Sequence, residues 1–191
     1  LDGVAAKLTS GARVADVGCG HGASTIVLAE AFPASRFDGF DNHAASIVMA
    51  HERAEEAGVS GNIRFETLDA QSYPADGYDL ICFMDCLHDM GDPVGAARHA
   101  AKALKSDGSV LLVEPAAGNA VEENINPVSR LYYAASTAVC TPCALSQDVG
   151  LALGAQAGQR RLSEVMLEAG FASVQRVAET PFNIILEARL A

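Results

Sequence analysis

The stretch RVADVGCGHG, residues 13–22, runs from apolar positions of strand character into three glycines at alternate positions, and ASTIVLAEAF follows with helical spacing. A strand, a glycine turn and a helix in succession form the first half of a βαβ unit. The same alternation continues outward. SRFDGFD reads as a second strand, followed by a helix over AASIVMAHERAEEAG. In that helix Ile47, Ala50, Ala54 and Ala57 share one face, and Glu52, Arg53, Glu55 and Glu56 point away. NIRFETLD is a third strand. YDLICFMD is a fourth, apolar at its centre as a central parallel strand must be. Asp92-Pro93 opens the next helix as N-cap and first-turn proline, with Val94, Ala97, Ala101 and Leu104 inward. SDGSVLLVEP supplies a turn and a fifth strand stopped by Pro115. A helix over RLSEVMLEAGF follows, and ASVQRVAE and FNIILEARL then pair through a short turn as an antiparallel edge hairpin. The expected architecture is α/β and doubly wound, mostly parallel, with that hairpin on one edge.

The chain has 191 residues, enough for one domain with a real core. Its formal net charge is -11, and Lys and Arg are scattered, so neither nucleic acid nor an anionic membrane is an expected partner. The longest charge-free run, residues 131–147, is broken by Ser, Thr, Cys and Pro142 and makes a poor membrane span. Five cysteines (19, 82, 86, 140 and 143) leave at least one unpaired and point to free thiols in a reducing, cytoplasmic setting. The chain begins at Leu1, about a dozen residues before the first strand, which reads as a fragment lacking an N-terminal region. Residues 116–158 exceed what a compact α/β connection needs. They form either a lid-like insertion or an extra packing helix over SRLYYAAST.

Gly18, Gly20 and Gly22 allow a sharp turn and close approach of backbone to a ligand at a helix N-terminus. Their G-x-G-x-G spacing differs from the G-x-G-x-x-G of a dinucleotide loop. Three acids end successive strands around this loop. Asp16 lies two residues before the first glycine, Asp41 ends the second strand, and Asp69 follows the third with Ala70 and Gln71 after it. In a doubly wound sheet all three gather at one crevice. They would repel a pyrophosphate but suit an amino group at Asp16, ribose hydroxyls at Asp41 and an adenine amino group at Asp69. S-adenosylmethionine offers those groups, carries a sulfonium and has no phosphate. Singly, each acid has a local alternative: Asp41 as cap of the helix beginning near His43, Asp69 as turn former.

At this point VADVGCGHG, FDGFD, LDAQSYP, YDLICFMDCLHDMGDP and LKSDGSVLLVEP resemble, in order and spacing, the motifs of class I S-adenosylmethionine-dependent methyltransferases over residues 12–115. The resemblance implies a Rossmann-like seven-stranded sheet. It also implies Asp16, Gly18, Cys19, Gly20 and Gly22 at the methionine end, Asp41 and Asn42 at the ribose, and Asp69, Ala70 and Gln71 at the adenine. Met84, Asp85 and Cys86 would form the floor. HDMGD (88–92) is similar to the His-Asp-Trp-x-Asp stretch of small-molecule O-methyltransferases that carry a winged-helix dimerisation domain before this fold. In those relatives the histidine deprotonates the acceptor hydroxyl, the role implied here for His88. Met90 stands where their tryptophan would be, and no winged-helix region precedes the fold in this sequence, so any homodimer would form through a region outside this chain.

The expected activity is methyl transfer from S-adenosyl-L-methionine to a small, hydroxyl-bearing, hydrophobic acceptor, without a metal. His88 also has a bland reading, as a loop residue hydrogen-bonded just before a helix cap. His21 and His43 read as local polar contacts, and His51 and His99 as surface helix residues. Tyr132 and Tyr133 could line an acceptor pocket or be half-buried core. Cys140-Thr-Pro-Cys143 has redox or metal spacing but no second pair along the chain, so both are expected to be fortuitous thiols. Two alternatives remain: a non-catalytic domain binding S-adenosylmethionine or its demethylated product, and an NAD-dependent oxidoreductase.

Overall fold

The computed structural model describes residue 1 and residues 3–191. Seven strands form one sheet: β1 (Arg13–Val17), β2 (Arg36–Asp41), β3 (Ile63–Thr67), β4 (Tyr78–Met84), β5 (Leu104–Pro115), β6 (Ser173–Glu179) and β7 (Asn183–Arg189). Their order is β3-β2-β1-β4-β5-β7-β6. The first five are parallel, whereas β7 runs antiparallel to both β5 and β6. Chain order reverses between β1 and β4, and a crevice at such a point opens beyond the carboxyl ends of the strands. This is the Rossmann-like, seven-stranded sheet that the resemblance implied.

Helices cover both faces. α4 (Pro93–Ala103) and α7 (Gly158–Glu168) pack on one through Ala96, Ala97, Ala100, Leu162, Val165 and Met166, against Ile81, Phe83, Val110 and Leu112. On the other, α1 (Val4–Ser10) and α2 (Ala23–Ala31) cover Val14, Phe37, Leu80 and Cys82, and α3 (Ala44–Glu56) covers Phe65. Three details differ from the sequence reading. Ala57 is exposed at the C-cap of α3, because the helix leaves the sheet before completing that turn. Leu104 belongs to β5, paired with Tyr78, and the buried side of α4 is Ala96, Ala97, Ala100 and Ala103, with Val94 and Ala101 only at its margin. Alanines there let the helix lie close to the sheet. α1 was not foreseen at all.

The insertion folds as a 3₁₀ turn (Val121–Asn124), α5 (Pro127–Ala135), a π turn (Ser136–Cys140) and α6 (Thr141–Leu145). α5 starts at Asn126, whose Oδ1 accepts from Ser129 N–H at 2.9 Å, with Pro127 in the first turn. No helix among the described residues is long and apolar enough to cross a membrane.

Gly22 shows how tightly the glycine loop is held. Its φ is +74°, and a Cβ there would lie 2.6 Å from Phe65 Cζ and 3.1 Å from Ala50 Cβ. Left-handed strain costs about 1–2 kcal/mol, and overpacking typically adds about 1–3. Gly22→Ala is therefore expected to destabilise the fold by roughly 2–5 kcal/mol, read as a lower urea midpoint with unchanged slope. An unchanged midpoint would mean that Phe65 yields freely.

Candidate active site

A cleft of about 280 Å³ opens at the carboxyl ends of β1 to β4. Gly18, Asp41, Asn42, Asp69, Ala70, Gln71 and Cys86 line it, so the ends of four strands meet at one surface. Phe40, Leu68, Met90 and Ala96 add apolar area, and Asp89, Asp92, Cys143 and Gln147 complete it. Four carboxylates and neither lysine nor arginine stand among these lining residues, a setting that disfavours a pyrophosphate and favours a cation.

Asp16, Cys19, Gly20 and Gly22 are not among the residues that line the cleft. Asp16 is buried, and its Oδ2 accepts from Ser24 Oγ and Thr25 Oγ1, each at 2.6 Å. Its Oδ1 is buried with no hydrogen-bond partner. Burial raises the Asp16 carboxyl above the usual carboxylate range, opposed by the two hydroxyls. Cys19 is buried beside Phe65. Gly20 N–H donates to Asp41 Oδ2 at 2.9 Å, and His43 N–H donates to Asp41 Oδ1 at 2.8 Å. Asp41 thus ties the first loop to the second, while the N-cap position of α3 is held by His43 rather than by Asp41. Each carboxylate oxygen retains a second lone pair for a ligand. Asp69 Oδ1 accepts from Gln71 N–H at 2.9 Å, a local turn bond made by a residue that also faces the cleft.

The end of β4 divides its three candidate residues. Cys86 reaches the cleft and donates its thiol to Val17 O at 3.1 Å. A Cβ on Gly18 would lie 2.8 Å from Cys86 Sγ, so only glycine lets these two strand ends approach. Met84 packs instead with the α1 and α2 cluster, because side chains alternate faces along the strand. Asp85 is exposed outside the cleft at φ +61°, a left-handed conformation that aspartate tolerates and that redirects the chain.

That turn carries His88, which is buried on the 3₁₀ segment Leu87–Asp89. Glu114, also buried, holds it from β5: Oε1 accepts from Leu87 N–H at 2.9 Å and Oε2 meets His88 Nδ1 at 2.5 Å. An ionised carboxylate only accepts, so Nδ1 is the donor. His88 Nε2 lies 3.3 Å from Asp89 Oδ1. Burial alone would lower the imidazole pKa; the Glu114 bond, with the charges of Glu114, Asp89 and Asp85, outweighs it and raises the pKa above 6.5.

The insertion seals this turn. Gln147 Oε1 accepts from Gly91 N–H at 2.9 Å, Leu151 N–H donates to Gly91 O at 2.8 Å, and Gly154 N–H donates to His88 O at 3.2 Å. Gln147, Cys143 and Glu114 were not singled out from the sequence as site residues; the LLVEP motif, with a charged residue inside an apolar strand, was the available signal for Glu114. Tyr132 is half-buried and donates to Phe182 O at 2.8 Å, while Tyr133 is exposed; neither lines the cleft. His99 is half-buried rather than on the surface, with Nε2 2.7 Å from Tyr73 O, and His51 Nε2 sits 3.2 Å from Phe65 O. His43 Nδ1 makes the expected local contact, 2.9 Å from Ser46 Oγ, and His21 is exposed.

These residues fit S-adenosylmethionine. Asp16 Oδ1 is an open buried acceptor for an ammonium or a bridging water, Gly18 leaves no room for a side chain, and the surrounding charge is negative.

A family model described as Methyltransferase domain matches residues 8–170. The chain is 39% identical over 71 residues to the trans-aconitate 2-methyltransferase of Streptomyces avermitilis, covering 37% of this chain and 26% of that protein. It is 32% identical over 107 residues to the 27-O-demethylrifamycin SV methyltransferase of Amycolatopsis mediterranei, covering 55% of this chain and 39% of that one. Among solved structures, the O-methyltransferase NcsB1 from neocarzinostatin biosynthesis, in complex with S-adenosyl-L-homocysteine and 1,4-dihydroxy-2-naphthoic acid, superposes with a TM-score of 0.73 at 23% identity. That superposition covers 99% of this chain and 53% of NcsB1, and it speaks for the fold. The chain spans well under half the length of the two curated relatives. Since the matched span contains every described residue that lines the cleft, the chain belongs to the class I methyltransferase domain family, and S-adenosyl-L-methionine is its cofactor.

Proposed function

We propose that the protein methylates a hydroxyl group on a small, largely hydrophobic acceptor, with His88 as general base. The observation that carries this reading is the His88–Glu114 pair, held at 2.5 Å beside the cleft. Bound S-adenosyl-L-methionine supplies a methyl group on a cationic sulfur, and the chain's own residues do the rest. Asp41 takes the ribose hydroxyls, Asp69 the adenine amino group, and Asp16 the ammonium, directly or through water. The apolar wall of Phe40, Leu68 and Met90 excludes water. Glu114 keeps the proton on Nδ1, which leaves Nε2 to accept the acceptor's hydroxyl proton as the oxygen attacks in line.

His88 is buried with Cys140 of the insertion beside it, so acceptor entry requires residues 116–158 to lift from the Gly91 and His88 carbonyls and to close again. We therefore read this segment as a lid over a single domain. Five free cysteines and a formal net charge of -11 support a cytoplasmic enzyme acting on neither nucleic acid nor membrane. The burial of His88 also favours a second reading, a domain that binds the cofactor or its demethylated product without turnover.

Calorimetric titration with S-adenosylmethionine, S-adenosylhomocysteine and NAD, followed by transfer of labelled methyl to a panel of phenols and aliphatic alcohols, separates these readings. Adenosyl binding with label on an acceptor oxygen supports the enzyme. Adenosyl binding with no label on any acceptor supports the binding domain, and NAD binding alone overturns both.

A further inference from the structure

The Cys140-Thr-Pro-Cys143 pair has no partner along the sequence, yet folding supplies one for Cys140. The π turn Ser136–Cys140 buries this cysteine against the turn carrying His88 and Asp89. One ligand atom from each of His88, Asp89 and Cys140 lies within 4.8 Å of the other two. Asp89 Oδ1 is buried and makes no hydrogen bond, although His88 Nε2 stands 3.3 Å away. Cys143 stays apart from this group, with its Sγ accepting from Gln147 Nε2 at 3.5 Å.

The donor set is one imidazole nitrogen, one thiol sulfur and one carboxylate oxygen, the mixture that zinc takes at about 2.0–2.3 Å in tetrahedral sites. Such an ion needs its ligand atoms roughly 3.3–3.8 Å apart, and His88 Nε2 and Asp89 Oδ1 already stand at 3.3 Å. The surroundings are those of a metal-ligating histidine: the far ring nitrogen donates to a buried carboxylate, here Glu114, which aims Nε2 as a lone pair. A second cluster, Asp85, His88 and Glu114, offers no such arrangement, because the nitrogen facing Glu114 is already spent on that bond.

We propose that His88 Nε2, Asp89 Oδ1 and Cys140 Sγ form a site for a zinc-class divalent cation, clamping the insertion to the turn after β4. On binding, the Cys140 thiol loses its proton to solvent and His88 contributes its lone pair. Three protein ligands leave a fourth position open. The same Nε2 cannot hold a metal and accept a proton, so the filled site inhibits methyl transfer; this consequence alone rests on the reading of His88 as base.

The test uses the whole chain, reduced and stripped with a chelator, then titrated with Co²⁺ and afterwards with Zn²⁺. One equivalent of Co²⁺ is expected to give thiolate-to-metal charge transfer and tetrahedral visible bands, both displaced by Zn²⁺. Cys140→Ser removes a ligand itself and should weaken Zn²⁺ by more than the roughly 10–100-fold that loss of an outer-shell partner costs, and Cys143→Ser should leave the spectrum unchanged. Absence of charge transfer, or its loss in Cys143→Ser with retention in Cys140→Ser, overturns the site. If Cys140→Ser fails to fold, the spectra of the wild-type chain and of Cys143→Ser still decide. Methyl transfer is measured in the same samples. Inhibition by one equivalent of Zn²⁺, reversed by chelator and absent in Cys140→Ser, is the expected result. Zinc binding without inhibition leaves the site standing and overturns the role of His88, whereas full turnover in chelator with no Co²⁺ spectrum does the reverse.

Discussion

Exchanging His88 for glutamine is expected to lower kcat for methyl transfer by about 10²–10⁴-fold, the range for loss of a positioned general base. Cofactor affinity measured by calorimetry should stay within about twofold, because His88 is not among the residues lining the cofactor cleft. The pH profile gives an independent readout. Only the neutral imidazole accepts a proton, so wild-type kcat falls as pH drops through the His88 pKa, raised above 6.5 by Glu114 against the opposing effect of burial. That acid limb should vanish in His88→Gln. In Glu114→Gln the imidazolium loses its buried anionic partner and burial is opposed only by Asp89 and Asp85, so the limb moves to lower pH. A His88→Gln enzyme with full kcat and an unchanged profile would show that orientation alone drives the transfer.

Asp41→Ala is expected to weaken S-adenosylmethionine by about 10²-fold or more, with the fold intact by circular dichroism. Hydrogen bonds to a charged group contribute about 1.5–3 kcal/mol each, and the carboxylate offers two to the ribose. The substitution also strips the acceptors from Gly20 and His43 N–H, loosening both loops at once. Asp41→Asn, which keeps one acceptor oxygen, should fall between. Equal affinity in wild type and Asp41→Ala, read by calorimetry, would remove Asp41 from the ribose site.

Legibility in the sequence followed the range of the interaction. The strand over residues 78–84 could be read because an apolar run reports burial on both faces, and α4 because an Asp-Pro cap acts within one turn. Leu104 was misplaced because its fate rests on pairing with Tyr78, which no window around residue 104 contains. Met84 was assigned to the site by position along the chain, whereas alternation of side chains turns it to the opposite face of the sheet.

The sequence by itself determined the alternation of strands and helices, the glycine turn after the first strand and the three acids at successive strand ends. Each rests on periodicity or spacing over a few residues. Tertiary structure alone decided that Glu114 meets His88 and that Cys140 faces both His88 and Asp89. β4 and β5 are neighbours in the sheet, paired through Met84 and Val113, so residues 26 positions apart come to share one buried hydrogen bond. The insertion then folds back over that pair, held by Gln147 and Gly154. Such contacts depend on sheet order and loop docking, which no local run of side chains encodes.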